Sequence, residues 1–279
     1  MAICNKCPRG CNLGNGVGFC GVKGIKVAKI MKHYYEEPII SGTNGSGAIF
    51  FSGCNLRCCY CQNMPISHGL KGEYYTQEQL AEEIIKLQKS GVHNINLVTA
   101  AHLTAEVAEV LKIVKPELNI PVIYNSSGYE GDLEALNGLV DVYLPDFKYF
   151  DPILAEKYSH APDYPEVAKK AIAQMIEQVG DVVIDNGLIK KGVVIRHLVL
   201  PGHRADSIKI MEYINEHFPS AYVSVMSQFT PQFNVGPSEL NRKVTSFEYN
   251  SVVDAAAKLG LKGFMQDRTS ADTVYTPDF

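Results

Sequence analysis

The sequence predicts an α/β fold: an open, partial (β/α)6 barrel with a small cysteine-rich, metal-binding amino-terminal extension. Three observations predict it. Beyond residue 75, short β-branched runs alternate with helical patterns, which is the sequence form of a parallel sheet built from βα units. The strands number six or seven, short of the eight that close a complete barrel. All eight cysteines lie before residue 62, so thiol chemistry is confined to the first quarter of the chain.

The elements follow in order. Residues 41–47 are Ser-Gly-Thr-Asn-Gly-Ser-Gly, and Asn44-Gly45 between apolar runs predicts a hairpin turn. A phosphate loop is excluded there, because no Gly-Lys-Ser/Thr and no helix follow. A strand over 48–52 delivers the chain into a cysteine loop. Thr76 and Gln79 form a capping box for a helix that Gly91 ends. Strands are expected over 94–99, 122–125, 142–145, 193–200 and 222–226, with a last short one over 264–266. Between them fall helices over 104–114, 133–139, 165–179 and 207–218. The helix over 245–259 starts with Thr245 and Glu248 as a second capping box and stops at Gly260. Residues 1–45 form the extension and hairpin, and residues 46–279 the barrel.

At 279 residues, 46% hydrophobic and 20% charged, the chain supports one substantial core. A net charge of −4 with both signs interspersed provides no basic footprint for nucleic acid and no polybasic membrane anchor. The first residues lack a signal-peptide core and no stretch approaches a membrane span, so a cytoplasmic location is expected. Eight cysteines in a reducing compartment argue for metal ligation over disulfides.

Cys54, Cys58 and Cys61 stand in a C-x3-C-x2-C spacing, with Tyr60 just before the last thiol. Structural zinc prefers paired C-x2-C ligands and four of them. A [4Fe–4S] cluster has four irons, and three local thiolates leave one iron for another ligand. Cys59 is read as a small packed residue. The earlier set, Cys4, Cys7, Cys11 and Cys20, reads as a structural metal site, with zinc preferred to a second cluster. In a partial barrel, function gathers at the carboxy-terminal strand ends. Those ends carry Ala100-Ala101-His102, Asn125, Asp146-Phe147-Lys148, Leu200-Pro201-Gly202 and Gln228-Phe229.

With the cysteine loop and strand order in hand, the chain resembles the radical S-adenosylmethionine (SAM) enzymes. Within them it is similar to an uncharacterised branch of proteins like pyruvate formate-lyase activating enzyme. The resemblance rests on the Cys4–Arg9 segment, the loop 52–58, and the stretches 124–130, 143–149 and 196–202. It implies a [4Fe–4S] cluster on Cys54, Cys58 and Cys61, with SAM chelated by the fourth iron and cleaved by one electron to a 5′-deoxyadenosyl radical. It also implies that Tyr60 and Leu198 lie near the adenine, and that Lys148 meets the methionyl carboxylate. Asn125, Asp146 and Arg196 complete the expected cofactor site. In two respects the chain departs from the pattern, one being Gln228 and Phe229 after the sixth strand, where the activases use a histidine. Radical SAM enzymes place Gly-Gly-Glu where this chain has Ala100-Ala101-His102, which leaves the role of the acid to Thr99 or His102.

The function implied is oxidoreductase chemistry on a protein or peptide, with activation of a glycyl radical enzyme as one form and flavodoxin or ferredoxin as electron donor. The alternatives are a small metabolite or precursor peptide as substrate, or a non-catalytic metal-knuckle interaction protein. His33 to Glu37 either line a substrate cleft or fill the seam between extension and barrel, and the seam is preferred.

Overall fold

The computed structural model describes residues 3–13, 16–231, 236–266 and 277–279. Its elements are β1 (Lys26–His33), α1 (Pro38–Ser41), β2 (Ser46–Phe51), α2 (Met64–Ser67), β3 (Glu73–Tyr74), α3 (Gln77–Lys89), β4 (Ile95–Val98), α4 (Thr104–Val114) and β5 (Val122–Ser126). They continue with β6 (Val142–Pro145), α5 (Pro152–Ser159), α6 (Tyr164–Val179), β7 (Val183–Asp185), β8 (Leu188–Leu198), α7 (Arg204–His217), β9 (Tyr222–Met226), α8 (Ser246–Lys258) and β10 (Gly263–Met265). The stretch expected as a helix over 133–139 is a single 3-10 turn, Glu134–Leu136.

The sheet runs β10-β9-β8-β6-β5-β4-β2-β1-β3, with β7 paired to β8. From β2 to β10 the pairing along this path is parallel, and β1 and β3 are added antiparallel. The end strands β10 and β3 do not pair with each other, so the barrel stays open. No helix among the described residues is long and apolar enough to cross a membrane.

Side chains alternate across each strand. Ile95 and Leu97, Val122 and Tyr124, Val193 and Ile195, and Val223 and Val225 face the helix layer and build the main core. The alternate positions point inward and divide by height. Ile123, Val142, Leu144 and Val194 close the inner floor around Ile39 and Ile40 of α1, which plugs the barrel. Above that floor the inward residues become polar: Asn96, Asn125 and Arg196.

Both expected capping boxes form, at Thr76/Gln79 and Thr245/Glu248. The expected hairpin is corrected. β1 and β2 do pair antiparallel, but 12 residues separate His33 from Ser46 and include α1. The Gly45 N–H bonds Ser41 O at 2.9 Å, so Asn44-Gly45 closes that helical turn rather than a two-residue loop.

Ile40 is fully buried, and Ile40→Ala is expected to cost about 2–5 kcal/mol of folding stability. Urea denaturation of the two proteins checks this, and a loss well under 1 kcal/mol would mean that α1 is not a packed plug.

Candidate active site

The cysteine loop leaves β2 through Gly53, whose φ of +84° suits glycine. A Cβ there would lie 2.6 Å from Cys20 O, so this glycine also lets the amino-terminal segment lie against the loop. Cys54 and Cys58 are buried and Cys61 is half-buried. Each sulfur accepts one hydrogen bond: Leu56 N–H to Cys54 Sγ at 3.4 Å, Ser159 Oγ to Cys58 Sγ at 3.0 Å, and Ser67 Oγ to Cys61 Sγ at 3.2 Å. All three cysteines line one cavity of about 130 Å³, together with Asn63, Thr99, Asp146, Lys148 and Arg196. Burial, with the neighbouring Cys58, pushes the Cys54 thiol up and that of Cys61 up to about 12. Loading a metal therefore releases protons here. Three soft sulfur donors around one enclosed space, each already hydrogen-bonded, fit an iron–sulfur cluster.

Beside the thiols, the strand ends assemble a half-buried ionic set. Arg196 Nε bonds Asp146 Oδ1 at 3.1 Å, Nη1 bonds Glu36 Oε2 at 3.2 Å, and Nη2 bonds Asn125 Oδ1 at 2.6 Å. Lys148 Nζ bonds Asp146 Oδ2 at 2.6 Å. Asn96 and Asn125 both donate to Glu36 Oε1, at 3.0 and 3.3 Å. Burial alone would raise Asp146, but Lys148 and Arg196 hold its carboxyl below the usual range. Burial likewise opposes charge on Lys148, and Asp146 with Cys58 outweighs it. Gly128 passes so close to Asp146 O that a Cβ would collide with it, which keeps β5 and β6 in step at this level.

A second cavity of about 210 Å³ opens from this set and is bordered by Cys58, Tyr60, Asn125, Lys148, Arg196 and Leu198. Tyr60 is held by hydroxyl contacts: Tyr60 to Tyr149 at 2.7 Å, then Tyr149 to Ser159 at 2.8 Å, the same serine that donates to Cys58. Phe229 meets the Tyr60 ring edge to face.

The structure thus brings together Cys54, Cys58, Cys61, Tyr60, Asn125, Asp146, Lys148, Arg196 and Leu198. Ala100, Ala101 and His102 are buried but line neither cavity. Thr99, with φ of +66°, turns the chain, and Leu103 N–H bonds Ala100 O at 2.7 Å as α4 begins. His102 consequently points away from the mouth: Nε2 meets Ser52 O at 2.9 Å, and the buried Nδ1 has no partner among the described residues. Of His33 to Glu37, for which the sequence reading prefers a seam to a cleft, His33, Tyr35 and Glu36 border the mouth. Ser67, Tyr149 and Ser159 were missed, and no local spacing marks them; only the acid pair Glu36-Glu37 was visible as a signal.

Cys4, Cys7, Cys11 and Cys20 border a third cavity of about 80 Å³, shared with Lys6, Lys23 and His102. Cys4 N–H bonds Cys11 O at 2.8 Å and Phe19 N–H bonds Cys11 Sγ at 3.2 Å. Among the described residues, no three His, Cys, Asp or Glu side chains converge to hold a single ion. Arg9 fastens this segment to the barrel, bonding Asn55 O and Ser159 O at 2.7 Å each, and His160 O.

The family model described as Radical SAM superfamily matches residues 48–214. An uncharacterized protein of Methanocaldococcus jannaschii is 30% identical over 274 residues, spanning 92% of this chain and 75% of the relative. Among solved structures, SuiB of Streptococcus suis bound to the precursor peptide SuiA superposes with a TM-score of 0.54 at 12% identity, over 77% of this chain and 46% of that one. SuiB bound to S-adenosylmethionine matches with the same TM-score at 11% identity, over 76% and 47%. The chain thus spans about half the length of these solved structures, and the likeness to them is one of fold.

Burial pushes both His102 and His197 down to about 4, so both are neutral in the folded chain at pH 7. An unfolded histidine takes its proton near 6.5, so the unfolded state binds more protons between about pH 6.5 and 4. Stability should therefore fall as pH drops through that window. In His197→Asn, urea midpoints across the window should give a slope shallower by about 1.4 kcal/mol per pH unit. An unchanged slope would mean that His197 is charged in the folded protein.

Proposed function

The chain belongs to the radical SAM superfamily, whose enzymes use a [4Fe–4S] cluster and S-adenosylmethionine, and we propose that it acts on a protein or peptide held across the open side of the barrel. The observation that carries this reading is a single cavity lined by three thiols and the half-buried Asp146, Lys148 and Arg196. Cys54, Cys58 and Cys61 would hold the cluster. Bound together, cluster and SAM supply a one-electron cleavage that generates a hydrogen-abstracting 5′-deoxyadenosyl radical.

The protein's own residues then have defined tasks. Lys148 presents a fixed cation to the methionyl carboxylate, and Asp146 orients it through their 2.6 Å contact. Tyr60 and Leu198 border the adenine. With His102 turned away, Thr99 and backbone carbonyls remain for the methionyl ammonium. The tyrosines around Ser159 and the Phe229 ring exclude water from the thiols.

A polypeptide substrate is favoured because the sheet does not close and its cavities lie along the open side. The fold-level likeness to SuiB, solved with a precursor peptide, supports a peptide, and the activase resemblance supports a glycine of a partner enzyme. We assign Cys4, Cys7, Cys11 and Cys20 to a second metal site, zinc or a further cluster. A flavodoxin- or ferredoxin-class donor in the cytoplasm would supply the electron.

Anaerobic reconstitution tests the proposal. Wild type should carry about four irons, with either one zinc or about four more irons at the second site, and should form 5′-deoxyadenosine from SAM under reduction. Cys58→Ala should form none. Lys148→Met should keep its iron and weaken SAM binding about 10- to 100-fold. Zinc alone with no cleavage product would overturn the enzyme reading.

A further inference from the structure

A cavity of about 350 Å³ continues from the mouth along the open side of the barrel, sharing Glu36, Arg196 and Met226 with it. Tyr35 also borders both, and the cavity is lined in addition by Tyr34, Glu37, Ser224, Phe264 and Gln266. Among the described residues, three buried oxygens here have no hydrogen-bond partner: Glu37 Oε2, Ser224 Oγ and Gln266 Oε1. Ser224 lies beside the Glu37 carboxyl. Neighbouring Glu36 has both oxygens bonded, to Asn96, Asn125 and Arg196.

Leaving buried acceptors unpaired is costly, and all three atoms accept. Their natural complement is a group rich in N–H donors. Charge narrows the class. Glu36, Glu37 and Asp146 share the two cations Arg196 and Lys148, and among the described residues Glu37 forms no ion pair of its own, although Arg196 favours its charged form. Burial pushes the Glu37 carboxyl up, and a bound cation would relieve that. At the rim, Tyr34 and Tyr35 are 51% and 56% exposed, offering aromatic faces to a cation. An anion would meet Glu37, and an apolar group would leave the acceptors stranded.

Resting on the reading of the mouth as a radical SAM site, we propose that this cavity binds a cationic nitrogen of the substrate, the ammonium or guanidinium of a basic residue. Glu37 is its counter-ion, Ser224 and Gln266 are its further acceptors, and the Tyr34 and Tyr35 rings flank it.

The test needs no turnover. Nα-acetyl-lysine N-methylamide and its norleucine isostere are titrated into the cluster-loaded, SAM-bound protein, with affinity read by NMR. The lysine probe should bind at least about tenfold more tightly, and Glu37→Gln should remove that preference while Glu37→Asp keeps part of it. Ser224→Ala, a milder change, should weaken the lysine probe about three- to tenfold without affecting the norleucine probe. Equal affinities in wild type, or a preference that survives Glu37→Gln, would overturn the proposal. Reductive SAM cleavage by wild type without any probe reports separately on the radical SAM reading, so the two failures are distinguishable.

Discussion

Arg196 has its guanidinium largely out of water and spends it on three partners that arrive from different places: Asp146 after β6, Asn125 of β5, and Glu36 from the segment between β1 and α1. A charge taken out of water is tolerated only when fully partnered, and removing one partner from such a set typically costs about 3–5 kcal/mol. The set is therefore a geometric constraint more than a source of stability. It pins the tops of three parallel strands to the one segment that comes from outside the βα repeat. Because Asp146 also holds Lys148, the same carboxylate sets the position of the cation nearest the thiols. Glu37, one residue along, is left facing the neighbouring cavity.

The division of labour along the inner face follows from strand periodicity. Every second residue of β5, β6 and β8 looks inward, and the inward positions change from Ile123, Val142 and Val194 at the floor to Asn125, Asp146 and Arg196 at the top. The floor needs an apolar partner and finds it in α1, which fills the end of an incomplete barrel with two isoleucines. The segment that plugs the floor thus also carries the acids to the mouth.

Much of this was legible in the sequence because burial leaves a pattern. Strands β6 and β9 were located to the residue from apolar runs, and α3 and α8 from capping boxes whose hydrogen bonds form as expected. β1 was not visible, because Lys26, Lys29 and Lys32 break any two-residue alternation. α5 was hidden by its length of eight residues, too short for a 3.6-residue pattern to stand out. Within the site, the cysteine spacing and the residues at strand ends were readable since position alone implies that they converge. The direction taken by His102 was not, because it depends on the left-handed turn at Thr99. Nor were Ser67 and Ser159 as donors to sulfur, since their contacts are made by folding and no local spacing encodes them.

The anchoring of Arg9 bears on how the chain is made. Its guanidinium bonds carbonyls at Asn55 and Leu56 but also at Ser159 and His160, 150 and 151 positions further on. At about 5–20 residues per second, a ribosome takes roughly 8–30 s to add that stretch. The amino-terminal segment thus spends that interval without two of the four carbonyls that fasten it. It is pinned to the barrel fully only when the end of α5 has been laid down, which makes the first-made part of the protein one of the last to settle.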